Sequence, residues 1–192
     1  MPCPAIGALH RLAPPARGAS PEEAARAVVA LHATDPASVH LAVAARTAGA
    51  GASTADVDRA LYDDRTIVRV LAMRRTLWAV PAGLVPVVVA ACGLGVAAVL
   101  RRTLVAAVED QGLAADGARF VARLEEEAVA ALARRPGTLA RELAADVADL
   151  ARTVRIGGAS RWATDVSLAS RVLVLLSAQG RVTRSRPGGA GA

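Results

Sequence analysis

The sequence contains no lysine, so arginine alone carries its positive charge, with 23 basic residues against 17 acidic ones. Chemistry that needs a lysine amine, such as Schiff-base formation, is therefore excluded. Aromatic residues make up 2% of the chain, so a core must be built from Ala, Val and Leu, which favours close-packed helices over a β-sandwich. Hydrophobic residues make up 54%, and this excludes a chain too polar to fold.

Cysteine is also scarce. Cys3 and Cys92 lie far apart, and neither belongs to a C-x-x-C motif or to a Cys/His cluster. This usage is typical of a reduced intracellular protein. The apolar start of the chain, Met1 to Leu9, has no basic region ahead of it and so does not resemble a signal peptide. The sequence therefore predicts a cytoplasmic protein.

The positive charge is concentrated near the C-terminus. Residues 1 to 149 contain 16 arginines and 16 acidic residues, whereas residues 150 to 192 contain seven arginines and one acid, Asp165. A local excess of this kind indicates an anionic partner, nucleic acid first and a membrane surface second. A basic tail that binds nothing is the alternative.

One long stretch without charge runs from Leu77 to Leu100. Its length alone fits a membrane span. Its prolines, glycines and many alanines reduce the apolar gain per residue, and its first residues continue a strand-like pattern. The sequence therefore favours a buried pair of helices and no membrane contact, and leaves a small protein anchored by this stretch as an alternative.

Local signals in the first half predict three short helices followed by a hairpin. Residues 20–23, Ser-Pro-Glu-Glu, form a capping box with proline at the first helical position. Asp35-Pro36 begins a second helix, and Ser53 or Thr54 begins a third. Two β-rich runs then flank Arg74 and Arg75. This is the order of a winged helix, in which one helix reads DNA and the hairpin touches phosphate or groove.

The second half repeats this order. Asp116 caps a long helix, Thr138 begins the next, and Thr164 or Asp165 opens a third. Residues 181–186, Arg-Val-Thr-Arg-Ser-Arg, then read as the first strand of a second wing, and the missing return strand predicts a chain that ends inside a longer domain. We therefore predict a mainly α fold with small β-hairpins, arranged as tandem winged-helix (helix-turn-helix) domains. The predicted ranges are an N-terminal arm at 1–19, a first unit at 20–110 and a second unit with an incomplete wing at 111–192.

Four spaced segments together resemble the AlkZ/YcaQ-type winged-helix DNA glycosylases. They are LHATDPA at 31–37, DRTIVR at 64–69, MRRTLW at 73–78 and SRVL at 170–173. The resemblance implies tandem winged helices and a C-terminal β-rich domain that wrap double-stranded DNA and hydrolyse the N-glycosidic bond of alkylated purines. The family's catalytic signature is Gln-x-Gln or Gln-x-Asp, at the place where this chain has His32-Ala33-Thr34.

The position of this signature makes His32, Thr34 and the neighbouring Asp35 the candidate catalytic residues. A cationic alkylpurine is already a good leaving group, so the enzyme mainly holds a water near C1′ and stabilises an oxocarbenium-like sugar. His32 would act as base or orient the water, and Thr34 would be a second acceptor. Asp35 would oppose the developing positive charge. The ordinary alternatives are a helix N-cap for Asp35 and a backbone-bonded histidine for His32.

Six arginines are the candidate phosphate contacts: Arg74, Arg75, Arg171, Arg181, Arg184 and Arg186. The Glu125-Glu126-Glu127 run is interpreted as a solvated helix face. Trp78 and Trp162 are interpreted as core residues, with stacking on bases as the alternative.

The predicted partner is double-stranded DNA, bound by a nucleoid-associated monomer. We expect no metal, because Pro36 separates His32 and Asp35 from His40, and no small-molecule cofactor. Both signature positions differ from the family's pattern. The sequence therefore leaves open a glycosylase and a DNA-binding, regulatory module without chemistry.

Overall fold

The computed structural model describes residues 4–48, 51–158 and 160–186. Contacts divide the chain into two compact units, Met1–Ala90 with Thr183–Ala192, and Ala91–Val182. The described residues are mainly helical, with one three-stranded and one two-stranded antiparallel sheet, which confirms the coarse fold class. The ranges 1–19, 20–110 and 111–192 stay a prediction, and the contact division sets its boundary at Ala91 instead.

Among the described residues, the first unit begins with four helices, of which the sequence predicted the last three. They are α1 (Pro4–Leu9), α2 (Pro21–Val28), α3 (Pro36–Ala44) and α4 (Thr54–Asp58), which continues as a π-helical turn over Arg59–Asp63. Ser20 Oγ accepts from the Glu23 amide at 3.2 Å, and Ser53 forms a capping box with Asp56. These caps satisfy amide groups that the first helical turn leaves without partners.

The sheet of the first unit contains β1 (Leu31–His32), β2 (Ile67–Leu71) and β3 (Leu77–Pro81) in the order β1-β3-β2. The predicted hairpin around Arg74 and Arg75 is confirmed, because β2 and β3 pair antiparallel on either side of a turn. The register sets His32 opposite Trp78 and Arg69 opposite Ala79. Apolar side chains from the helices and the sheet close the core of this unit: Val39, Val43, Val57, Ile67 and Val80.

The uncharged stretch does not form the predicted buried pair of helices. Its first residues are strand β3, and the rest belongs to one helical segment from Ala82 to Asp110 that includes α5 (Val85–Val88) and α6 (Leu94–Asp110). Pro86 is tolerated because it lies in the first turn of α5, where no amide partner is lost. Among the described residues this is the one helix long and apolar enough to cross a membrane, and few residues of its most apolar part are buried.

The second unit packs α6 with three further helices, α7 (Gly117–Arg134), α8 (Ala140–Asp146) and α9 (Leu168–Ala178). Asp116 caps α7 as predicted, and its Oδ1 accepts from the Arg119 amide at 2.8 Å. Leucines supply most of the large buried side chains: Leu124, Leu143, Leu150, Leu168, Leu175 and Leu176. Burying one such side chain contributes about 1.5–3 kcal/mol.

Two secondary-structure predictions for the second half of the chain are wrong. Thr164 and Asp165 do not open a helix but lie in β5 (Thr164–Ser167), which pairs with β4 (Thr153–Ile156). Helix α9 begins at Leu168, because the Ser167 hydroxyl caps it by accepting from the Ser170 amide. The hairpin therefore precedes the last helix of this unit, and residues 181–186 form no strand.

The run at 125–127 is also not the solvated face that the sequence predicted. Glu125 is 2% exposed, pairs with Arg101 and accepts from the Gln179 amide. Only Glu126 and Glu127 match the expectation of a charged surface, and each forms an ion pair with an arginine. A buried carboxylate needs such partners, because an isolated charge in the interior costs several kcal/mol.

Candidate functional site

Three predicted site residues follow one another where β1 ends. The side chains of His32, Thr34 and Asp35 are exposed, whereas Ala33 between them is fully buried. The backbone is fixed on the β3 side, because the Ala33 amide donates to the Leu77 carbonyl at 2.8 Å. The segment 32–35 therefore presents its polar side chains to solvent from a rigid backbone.

His32 and Thr34 are joined by a side-chain hydrogen bond. The distance from His32 Nε2 to Thr34 Oγ1 is 3.3 Å. Thr34 Oγ1 also accepts from the Leu77 amide at 3.3 Å, so the hydroxyl is itself held by the sheet. Nδ1 of His32 has no hydrogen-bond partner among the described residues. The histidine is thus oriented through one ring nitrogen and keeps the other available.

Trp78 lies beside this pair on β3. Its ring meets the His32 ring edge-to-face, with centroids 5.4 Å apart and planes at 89°. Its Nε1 donates to the Met73 carbonyl at 3.4 Å, which connects it to the hairpin turn. Trp78 is therefore half-buried between the histidine and the turn, and is not the core residue that the sequence predicted.

Asp35 is a helix N-cap, as its ordinary interpretation predicts. Its Oδ1 accepts from the Ala37 amide at 3.0 Å at the start of α3. The described residues provide no partner for Oδ2. One carboxylate oxygen of Asp35 therefore remains free in the segment 32–35, so the residue can act as a helix cap and still offer a negative charge.

Arg69 lies beneath the segment 32–35, and sequence reasoning missed it. Its Nη2 donates to the Ala33 carbonyl at 3.0 Å, and its Nη1 approaches the Tyr62 hydroxyl at 3.4 Å. It is 6% exposed, and its Nε is buried without a partner. The alternation of β2 offered the one available signal, because a charged side chain stands between Ile67 and Leu71 on the inward-facing positions.

Arg74 and Arg75 are the exposed tip of the β2–β3 hairpin. They are the central residues of the β-turn from Met73 to Thr76, with φ values of 56° and 57°, closed by the bond from the Thr76 amide to the Met73 carbonyl. Turns with two positive φ values favour Asn-Gly, and other residues pay a strain of about 1 kcal/mol or more. Neither arginine pairs with a carboxylate among the described residues.

The other four arginines have different surroundings. Arg181 forms two hydrogen bonds of 2.8 Å with Glu126, and Arg186 pairs with Asp58 and Asp63 and lies over the Tyr62 ring. Hydrogen bonding to Glu126 raises the pKa of Arg181, and hydrogen bonding to Asp63 raises the pKa of Arg186. Arg171 is half-buried with an unpartnered Nε, and Arg184 has no carboxylate partner among the described residues.

Trp162 is not a core residue either. It is 75% exposed in the connection between β4 and β5, and the Arg161 guanidinium lies 4.6 Å from its ring centroid. An exposed aromatic ring with an arginine stacked on it is the kind of surface on which bases stack in nucleic-acid complexes. The adjacent glycines at 157 and 158 were the available sequence signal for an exposed Trp162, because they mark a turn rather than a linker.

A metal site is not formed by the described residues, which bring no three His, Cys, Asp or Glu side chains together for an ion. The side chain of His40, the other histidine near the segment 32–35 in the sequence, has partners on both ring nitrogens. Its Nε2 lies 3.0 Å from Asp58 and its Nδ1 lies 3.1 Å from the Pro36 carbonyl.

Comparison with known proteins gives one match. A family model described as DNA glycosylase AlkZ-like matches residues 25–192, which is most of the chain. No curated protein and no solved structure matches. The matched range includes the segment 32–35, the hairpin turn and all six candidate phosphate contacts.

Proposed function

Because the chain belongs to the AlkZ-like DNA glycosylase family, we propose that it binds double-stranded DNA and hydrolyses the N-glycosidic bond of an alkylated purine. His32, Thr34 and Asp35 are the proposed catalytic residues. The observation that carries this proposal is the His32–Thr34 hydrogen bond, on an exposed segment whose backbone is held by β3 and Arg69.

The order of helices and strands in the first unit supports DNA binding through the β2–β3 hairpin. Helix α2, strand β1, helices α3 and α4, and the hairpin β2–β3 follow one another, with a sheet order of β1-β3-β2. Because this order of elements is the one expected of a winged helix, we propose that the hairpin is its wing. We propose that Arg74 and Arg75 touch phosphates from the wing tip, since their guanidinium groups are exposed and free of carboxylates.

The hydrogen bonds of His32 suggest how a water could be activated. In the tautomer that carries its proton on Nε2, the ring donates to Thr34 Oγ1 and leaves the Nδ1 lone pair for a water proton. His32 is then the general base, and Thr34 orients its ring. Its own hydroxyl hydrogen remains available to position the same water.

Asp35 supplies negative charge at the same place. As the glycosidic bond breaks, the sugar acquires positive charge, and the free Oδ2 of Asp35 would stabilise it. The leaving purine needs no acid from the protein, because alkylation has already made it cationic. In the proposed reaction the C1′–N bond breaks with its electron pair going to the cationic purine, which leaves as a neutral free base. The water oxygen bonds to C1′ to give an abasic sugar, and the water proton passes to His32 Nδ1 and then to solvent.

The proposal is tested by base release from a duplex that contains a single 7-alkylguanine or 3-alkyladenine. His32→Ala is expected to lower the rate by about 10²- to 10⁴-fold, the usual contribution of a general base. Thr34→Val is expected to lower it as well, whereas Thr34→Ser retains the hydroxyl and most of the rate. His10→Ala is the control that removes a histidine from the turn after α1. An unchanged rate in His32→Ala would remove this residue from the mechanism.

A second candidate function is DNA binding without chemistry. It is favoured by the departure from the family's signature, because both glutamine-type positions carry other side chains in His32 and Thr34. Under this alternative the wild-type protein binds duplex DNA with an affinity that falls as salt rises, and releases no base. Release by the wild-type protein would exclude it.

A further inference from the structure

The base of the β4–β5 hairpin is fixed to the core of the second unit. Val154 on β4 is 1% exposed, so a buried side chain anchors this strand. The Gln111 side chain binds Arg155 as a neighbouring strand would, because its Nε2 donates to the Arg155 carbonyl at 3.0 Å and its Oε1 accepts from the Arg155 amide at 2.9 Å. The same Nε2 donates to the Ala107 carbonyl of α6 at 2.8 Å. The hairpin therefore projects from the unit on a rigid base.

The tip of this hairpin presents two large side chains to solvent. Arg161 and Trp162 are the central residues of the turn from Ser160 to Ala163, which is closed by a bond of 2.9 Å from the Ala163 amide to the Ser160 carbonyl. Gly157 has a φ of 100°, and a Cβ there would lie 3.0 Å from the Cα of Ala163, so glycine allows the two sides of the tip to approach. Both central side chains are exposed.

Trp162 offers the open face of its ring rather than an apolar patch. The Arg161 guanidinium lies over the ring at 4.6 Å from its centroid, and at 75% exposure the opposite face is open to solvent. The exposed side chains beside it in the hairpin are polar: Ser160, Thr164 and Asp165. A protein groove or a lipid surface would need contiguous apolar area, which these neighbours do not provide. A flat aromatic ligand needs the ring face alone.

The charge at the tip favours a ligand that also carries negative charge. Asp165 is the one acidic residue in the sequence from 153 to 167, and it pairs with Arg155 at 3.5 Å. Arg161 has no carboxylate partner among the described residues, so its N–H groups are available to a phosphate oxygen. The tip therefore combines a ring face for a base with a cation for a phosphate.

We propose that Arg161 and Trp162 form a binding site for an unpaired nucleobase. The base stacks on the open face of the Trp162 ring, and Arg161 contacts the adjacent phosphate. Because a paired base inside a duplex is already stacked on both faces, the occupant is a strand with at least one unpaired base. The choice of DNA over RNA rests on the proposed function, whereas the stacking site itself does not.

The site is tested in the full chain by tryptophan fluorescence, because the sequence contains two tryptophans. In the Trp78→Phe variant, Trp162 is the one indole left. A single-stranded oligothymidylate of about eight nucleotides is expected to quench its fluorescence through stacking. An abasic oligonucleotide of the same length carries the same backbone charge and is expected to leave the fluorescence unchanged. Absence of quenching by the oligothymidylate, or equal quenching by both, would overturn the site.

The affinity for a labelled oligothymidylate provides a second measurement that keeps Trp78 in place. Trp162→Ala is expected to weaken binding by about 5- to 150-fold, which corresponds to the loss of one base–aromatic stack. Trp162→Phe keeps a flat ring and is expected to lose less. Leu139→Ala is the matched control, because it removes another exposed apolar side chain of the same unit, and it is expected to bind like the wild-type protein. Wild-type affinity in Trp162→Ala, or equal losses in the Ala and Phe variants, would contradict stacking.

The role of Arg161 is tested by the salt dependence of the same affinity. Arg161→Gln is expected to reduce this dependence by about one phosphate contact. Arg119→Gln removes another exposed arginine of the unit that has no ion pair among the described residues, and it is expected to leave the dependence unchanged. An unchanged salt dependence in Arg161→Gln would overturn the phosphate contact.

The nature of the strand is tested with RNA of the same length. Tighter binding of the RNA would overturn DNA as the occupant. Because the oligonucleotides contain neither a duplex nor an alkylated base, a failure of base release would leave these results unaffected. The catalytic proposal and the stacking site can therefore fail separately.

Discussion

The hairpin turn and the segment 181–186 carry the same kind of side chain in opposite electrostatic surroundings. Arg74 and Arg75 stand at an exposed tip without ion pairs among the described residues, whereas Arg181 and Arg186 are held by Glu126 and by two aspartates. The sequence treated all of them as phosphate contacts. The comparison teaches that the density of arginines does not locate a DNA surface, because nearby carboxylates can neutralise them.

The backbone adds to this contrast. Arg74 and Arg75 adopt a turn conformation that favours Asn-Gly, so the turn is less stable with two arginines than it would be with Asn-Gly. Strain of this kind persists where another requirement fixes the residues. In the segment 181–186, by contrast, Arg181 and Arg186 form ion pairs with carboxylates of the folded protein.

The largest expected effect comes from the double variant Arg74→Asn with Arg75→Gly. It relieves the turn and should raise the free energy of unfolding by about 1–2 kcal/mol. It should also lower duplex affinity by about tenfold or more and reduce the salt dependence by about two phosphate contacts. Denaturant unfolding and fluorescence anisotropy with a labelled duplex measure the two changes. Unchanged DNA affinity would end the assignment of the turn as the DNA-binding tip.

A smaller and opposite effect is expected for Arg186→Gln. The change leaves Asp58 and Asp63 without the guanidinium and removes its contact with the Tyr62 ring, so the unfolding temperature should fall. Duplex affinity should change by less than about threefold, because this side chain is already neutralised. A large loss of affinity at an unchanged unfolding temperature would reverse the comparison between the two regions.

The smallest effect is a pH dependence of the second unit. The hydrogen bonds from Arg181 hold the pKa of Glu126 below its ordinary value of 4.5. The pair therefore stabilises the folded protein above that value, and this contribution is lost as the pH falls through the lowered pKa. In Glu126→Gln, the free energy of unfolding should fall less between neutral pH and this acidic range than it does in the wild-type protein. Glu127→Gln removes the separate ion pair with Arg123 and leaves the pair of Glu126 and Arg181 in place.

Much of the local structure could be predicted from the sequence. Caps at Ser20, Asp35 and Asp116 depend on neighbouring residues only, and the β2–β3 hairpin has a strong alternating pattern around its turn. The strand predicted at 181–186 was wrong because a strand needs a partner, and sequence alone showed none. The β4–β5 hairpin was missed because Thr164-Asp165 also resembles a helix start.

The candidate site also contains residues that the sequence predicts and residues that it does not. His32, Thr34 and Asp35 are adjacent in the chain, so a local motif was enough to bring them together. Trp78 and Arg69 reach this segment only because β1 pairs with β3 and β3 pairs with β2, in a register that no local pattern fixes. The burial of Glu125 likewise depends on Arg101 and Gln179 from two other helices.

The most direct test of the catalytic assignment is the rate of base release by Asp35→Asn. Asparagine caps a helix as well as aspartate does, so the variant keeps the start of α3 and loses only the negative charge. We expect an unfolding temperature close to that of the wild-type protein and a rate of release from an alkylated duplex that is at least about tenfold lower. Release at the wild-type rate by this folded variant would contradict the assignment of charge stabilisation to Asp35 and, with it, the mechanism proposed for the segment 32–35.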